Sequence, residues 1–296
     1  LTQNTALAAF AHTITSAFLT AGTLFCAIAA WILIKNKDKE VARPVLKMGA
    51  IITLVSFVLV GISGDATARI MTTQQPMKMA AAEAVYNTEG NVPFSLLTIG
   101  SLDGSKPVFQ IGLPSVLSFM STGKFNGVVE GVNNLEKQYE EKYGAGSYTP
   151  VIWLTYWSFR LMIGFGALAF LMAAFLLWRD RKGIALPSNK WFMRALVAMP
   201  FLPIIGITFG WIFTETARQP WTVFGLAKTS DVVSPMVSAT SLWITLIGYV
   251  VLYGVLAAIE LKLMFRAIQL GPDPEITYQE PTEIGGSNDK PLVMAY

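Results

Sequence analysis

Long apolar runs alternate with polar connections along the chain, at about 5–34, 45–63, 153–178, 191–213 and 240–265. A helix needs roughly 20 apolar residues to cross a bilayer core, so the pattern predicts an all-α membrane protein, a transmembrane helix bundle with five spans. The connection over 64–152 is the one long polar stretch. Gly- and Pro-punctuated segments near 90–114 precede a polar stretch, Asn126 to Tyr143, that reads as a surface helix. Beyond Gly271 the prolines Pro272, Pro274, Pro281 and Pro291 recur too often for a helix to continue, and the tail reads as extended. Four regions follow: two spans in 1–63, a loop over 64–152, three spans in 153–270 and a tail over 271–296.

Composition strengthens this picture. Of 296 residues 53% are hydrophobic and 14% charged, and the mean hydropathy is +0.50, well above soluble domains. The net charge of +3 is spread over the connections, with no cationic run interleaved with aromatics, so no nucleic-acid partner is expected. A single cysteine, Cys26, excludes an intrachain disulfide and reads as a small packing residue. No fixed-period repeat is visible. Leu1 opens an apolar run with no basic stretch before it, which does not read as a cleavable signal; the expectation is an internal start, the second part of a longer polypeptide.

Charge orients the spans. Lys35, Lys37, Lys39 and Arg43 follow the first, Arg179, Arg181, Lys182 and Lys190 follow the third, and Lys262 with Arg266 close the fifth. Five spans bring all three clusters to one face, which the positive-inside rule makes cytoplasmic. The 64–152 loop and the 214–239 connection are then expected outside, and the C-terminus in the cytoplasm.

Two residues at matching depth carry candidate chemistry. His12, the one histidine, is about eight residues into the first span, and Met162 about nine into the third, roughly 12–14 Å along helices that both run inward. An imidazole and a thioether so placed can hold a low-spin haem iron between them. Taken singly, each also fits a plainer role, as an interhelical hydrogen-bonding group or a packing residue. Arg160 stands two positions from Met162, where a charge within a span needs a partner such as a haem propionate. In the loop, Lys78 and Glu83 follow Pro76, a residue suited to starting a helix. A carboxylate that accepts protons beside a lysine that holds a ring oxygen is what quinol oxidation requires; a solvated amphipathic turn is the plainer reading. Glu215 and Arg218 share a helix face at the end of the fourth run, which also fits an ordinary interfacial pair flanked by tryptophans.

Together these segments resemble subunit I of cytochrome bd quinol oxidase. The resemblance rests on Phe10-Ala11-His12-Thr13, Gly64-Asp65, Gln75-Pro76 with Lys78 and Glu83, Phe159-Arg160-Leu161-Met162, Trp211 with Glu215, Ala217-Arg218-Gln219-Pro220-Trp221 and Leu270-Gly271-Pro272. It implies that His12 and Met162 are the axial ligands of the low-spin haem b, with Arg160 beside it. It implies that Lys78 and Glu83 contact quinol in the outer Q-loop, here of the short type. Glu215 resembles the ligand of the high-spin haem b, and Trp211 and Arg218 resemble residues lining that haem, Arg218 through a propionate. Haem d is the third cofactor implied. Ala217 departs from the family pattern, which has glycine there.

The family subunit has nine spans, so the expected partners are its first four helices, subunit II, small single-span subunits, lipid and quinone. The implied activity is quinol:oxygen oxidoreduction in the cell membrane of a bacterium or archaeon, building proton motive force without a pump. Two rivals frame it. A transporter or channel-like bundle would use Arg160, Glu215 and His12 as a polar path; an electron-transferring cytochrome b anchor would use His12 and Met162 but leave Glu215 without a role.

Overall fold

The computed structural model describes residues 3–35, 39–100 and 106–270; the tail expected beyond Gly271 lies outside them. Two units are distinguished, Leu1–Tyr249 and Val250–Tyr296. The first spans are α1 (Asn4–Ile34) and α2 (Lys39–Gln74), followed by a short α3 (Pro76–Glu83). The rest of the loop holds β1 (Glu89–Gly90), β2 (Phe94–Gly100), β3 (Pro107–Leu113), α4 (Val116–Thr122), β4 (Val128–Val129) and α5 (Val132–Tyr143). Then come α6 (Ile152–Arg181), α7 (Lys190–Ala198), α8 (Phe201–Thr216), β5 (Trp221–Val223), β6 (Ala227–Lys228) and α9 (Ala239–Leu270). Of the second unit, Val250–Leu270 are described, all within α9, which has no buried residue.

Among the described residues four helices are long and apolar enough to cross a membrane, α1, α2, α6 and α9, with mean hydropathies of 2.2 to 2.3 over their best windows. The fourth predicted span is different in form. Instead of one straight run, α7 and α8 meet at 47°. Pro200 sits at the junction and Pro203 in the first turn of α8; a proline lacks the N–H its helix would donate and crowds the preceding turn. The second span also outruns its apolar stretch. It continues through a mixed, more polar stretch to Gln74, braced by an Asp65–Arg69 pair at 2.8 Å on successive turns.

α1 and α2 are in backbone contact. A Cβ built on Gly49 would stand 2.8 Å from Phe25 Cβ and 2.9 Å from Cys26 N, and one on Gly22 would stand 2.6 Å from Thr53 Oγ1. Cys26 is fully buried beside this crossing, in a cluster with Ala30, Leu46, Ala50, Leu176 and Leu196, which is the packing role its sequence context predicts. Gly49→Val forces the two helices apart, and overpacking at such a site costs about 1–3 kcal/mol or more; a lower thermal midpoint of the detergent-purified protein is the expected readout. At the same end of the bundle Asp180 of α6 meets Arg43 at 3.6 Å and Lys47 at 3.8 Å. The basic clusters after the first and third spans therefore share one end.

The loop is ordered around its own core. Met77, Ala80, Ala81, Tyr86, Leu135, Tyr139, Tyr148, Tyr156 and Trp221 form one buried cluster, tying α3 and α5 to the start of α6. The polar stretch before Tyr143 is helical from Val132 onward, as predicted. β2 and β3 form an antiparallel hairpin that the punctuated sequence did not announce. Its inward Ser95 and Thr98 are held by Tyr156, whose Oη lies 2.7 Å from Ser95 Oγ and accepts from Thr98 N at 2.7 Å.

Candidate functional site

Pro76 occupies the first turn of α3, as its position predicts, and Ala84 closes that helix in the left-handed conformation at φ 52°. Gln75 and Pro76 thus mark the break between α2 and α3. Lys78 and Glu83, five apart on a 3.6-residue helix, point about 140° away from one another. The structure gives them different neighbours.

Glu83 is 2% exposed and forms a bidentate pair with Arg160, whose side chain is 10% exposed. The guanidinium is boxed by Phe94, Tyr156 and Phe159, at 4.7, 4.9 and 5.3 Å from the ring centroids. Burial pushes the Glu83 carboxyl above the usual carboxylate range, against the opposing pull of the Arg160 charge and hydrogen bonds and of the Ser95 backbone. Arg160 Nε is buried and has no hydrogen-bond partner.

Lys78 faces a cavity of about 190 Å³ lined in part by Gln75, Tyr148, Arg218, Gln219 and Trp221. Its Nζ stands 5.2 Å from the Phe213 ring centroid. Burial, then the neighbouring Arg218 charge, lower its pKa from the ordinary lysine value, with Glu215 pulling the other way. Arg218 pairs with Glu215 at 2.5 Å, while its Nε and the Trp221 Nε1 are buried without partners. Glu215 has a side chain 48% exposed, and Trp211 is 64% exposed.

His12 and Met162 rest on different helices. The His12 ring packs on α2, with Nδ1 3.1 Å from Ser63 Oγ. Met162 packs on α8, its Sδ 3.0 Å from where a Cβ on Gly210 would stand. Both are half-buried. The structure thus brings together Glu83 with Arg160, and Lys78 with Arg218 and Glu215. It leaves His12 on α2 and Met162 on α8, with Trp211 exposed.

Ser63 and Gly210 were missed by sequence reasoning. Each is an ordinary small residue of an apolar run, and only the helix crossings reveal its contact. A haem fits this donor set: an imidazole and a thioether on neighbouring helices, and two buried guanidinium N–H groups without acceptors that propionates would satisfy.

Comparison with known proteins gives the context. The chain is 35% identical over 274 residues to "Cytochrome bd ubiquinol oxidase subunit 1" of Bacillus subtilis strain 168, covering 92% of this chain and 58% of that protein. It is 25% identical over 335 residues to "Cytochrome bd-II ubiquinol oxidase subunit 1" of Escherichia coli K12, covering 94% of this chain and 64% of that one. The solved bd oxidase of Geobacillus thermodenitrificans superposes with a TM-score of 0.73 at 25% identity, over 88% of this chain and 57% of the matched chain. The chain therefore spans a little over half the length of these relatives. The sequence profile of the cytochrome bd terminal oxidase subunit I family matches residues 1–272, and the chain belongs to that family.

Proposed function

We propose that the chain is part of the haem-bearing subunit of a respiratory terminal oxidase, oxidising quinol at its 64–152 loop and serving oxygen reduction to water. The observation that carries this reading is the buried Glu83–Arg160 pair. It fastens the loop helix α3 to α6 two residues from Met162, so the proton-accepting group and the iron-ligand candidate are held by one continuous piece of structure. The relatives named for ubiquinol oxidation share most of this chain's length.

Each residue then has a task. Lys78, partly withdrawn from water, holds a ring oxygen of quinol in the cavity beside Arg218 and Trp221. Glu83 accepts the quinol proton: burial raises its affinity for a proton toward the working range of a base, and Arg160 keeps it ionised enough to take one. His12 and Met162 hold the low-spin haem b iron, with Arg160 beside it. Glu215 holds the high-spin haem b iron, with Trp211 and Arg218 lining that group. When bound, these haems and haem d supply one-electron transfer and oxygen chemistry.

The loop faces outward from the cytoplasmic membrane, and the end carrying Arg43, Lys47 and Asp180 faces the cytoplasm. Protons leave quinol outside and are taken for water formation from inside, which separates charge without a pump. The remaining helices of subunit I and subunit II are the partners.

The test is a dithionite-reduced minus oxidised spectrum of the purified complex containing this chain, repeated under carbon monoxide. Bands of haem b plus a red-shifted chlorin band moved by carbon monoxide are expected. Haem b alone would contradict the oxidase reading in favour of an anchor cytochrome, and a colourless complex would contradict haem binding altogether.

A further inference from the structure

The His12 ring lies with one edge against α2. Nδ1 is 3.1 Å from Ser63 Oγ, and a Cβ on Gly64 would stand 3.4 Å from Cε1 and 3.7 Å from Nδ1, with no other atom within 4 Å. The Nδ1–Cε1 edge therefore faces the helix, and Nε2 lies beyond it. Ser63 is 8% exposed, and its hydroxyl also reaches the Val60 carbonyl oxygen at 3.1 Å.

That second contact favours one assignment, and the His12 ring also reaches the Val60 backbone. A carbonyl oxygen only accepts, so with the single hydroxyl proton of Ser63 on Val60 O its oxygen turns a lone pair to His12. A ring nitrogen facing a lone pair carries the proton. With Nδ1–H fixed this way, neutral imidazole keeps its own lone pair on Nε2, the atom left free to bind a metal. Thr67 and Thr72 on the same helix also bond carbonyls four residues earlier, the common habit of hydroxyls in helices. Ser63 differs in having an imidazole at its oxygen.

We propose that Ser63 is a positioning residue for His12: by accepting from Nδ1–H it fixes the tautomer and ring orientation that present Nε2 to the low-spin haem iron, and it tunes that iron's potential. The proposal rests on the reading of His12 as an iron ligand. Accepting a hydrogen bond from Nδ1–H makes the imidazole a stronger donor to iron and favours the oxidised state.

The experiment is a redox titration of the low-spin haem in the purified complex, with electron paramagnetic resonance of its ferric form, for wild type, Ser63→Ala, Ser63→Thr and His12→Ala. In Ser63→Ala the ratio of reduced to oxidised haem at the wild-type midpoint rises about tenfold, about 59 mV for a one-electron couple, and the ferric g-values shift. Ser63→Thr, which keeps the hydroxyl, returns both to wild type. If Ser63→Ala loses the haem and Ser63→Thr retains it, the hydroxyl is again responsible. Wild-type behaviour of Ser63→Ala overturns the proposal, as does loss of haem in both variants, which would make the requirement one of space. A low-spin signal that survives in His12→Ala overturns the ligand reading and this proposal with it. Its loss there, with Ser63→Ala unchanged, overturns this proposal alone.

Discussion

Arg160→Leu is expected to destabilise the protein and to disable quinol oxidation together. The substitution strands the Glu83 carboxylate at 2% exposure without its cation. Breaking a buried pair from one side costs about 3–5 kcal/mol, and the upper end is approached only while Glu83 stays ionised. Arg160 is what opposes the upward push of burial on the Glu83 carboxyl, so without it the folded-state pKa rises further and the group is protonated over a wider range of pH.

A protonated carboxyl cannot accept a proton from quinol. Quinol oxidation at neutral pH should fall by about 100-fold or more, the typical contribution of a positioned base, and the acid limb of the pH–rate profile should move to higher pH. Replacing both residues, Arg160→Leu with Glu83→Leu, removes the stranded charge and should recover much of the lost stability and none of the activity. A thermal midpoint equal to wild type in Arg160→Leu would contradict the pairing.

The membrane helices were legible because their signal is local: twenty or so apolar residues in a row need no knowledge of neighbours. The break in the fourth span was legible too, in Pro200 and Pro203, but a hydropathy window averages over two prolines embedded among phenylalanines and leucines. The extension of α2 to Gln74 was hidden for the opposite reason, since its last ten residues mix Asp65, Arg69, Gln74 and three threonines with a few apolar ones and carry no membrane signal. The β2–β3 hairpin was not legible. Its prolines and glycines read as breakers, and what holds it is the Tyr156 hydroxyl, some 60 positions away.

The candidate residues divide in the same way. That Lys78 and Glu83 cannot share a face was implicit in their spacing. That Glu83 meets Arg160, 77 positions along the chain, was not; sequence reading assigned that cation a haem propionate and that carboxylate a quinol. The geometry adds the protein's own pairing without consuming Arg160 Nε, which remains without a partner. Ser63 lies 51 positions from His12, and nothing in an apolar run marks one serine as facing an imidazole.

The second large effect concerns the iron itself. In the proposed function His12 would offer its imidazole from α1, and Met162 its thioether from α6 where Gly210 leaves room for it. A six-coordinate, low-spin iron needs both axial ligands. On the proposed reading, loss of either would deprive the low-spin haem of one of the residues that would hold it, and its low-spin absorption should disappear. Neither substitution disturbs the Glu83–Arg160 pair, so the loop and the rest of the bundle should fold as in wild type.

The most direct measurement is therefore the reduced minus oxidised spectrum of the intact complex purified with His12→Ala and, separately, with Met162→Leu. The account predicts that the low-spin haem b band is lost in both while the high-spin haem signals persist. A normal low-spin band in either variant would contradict it.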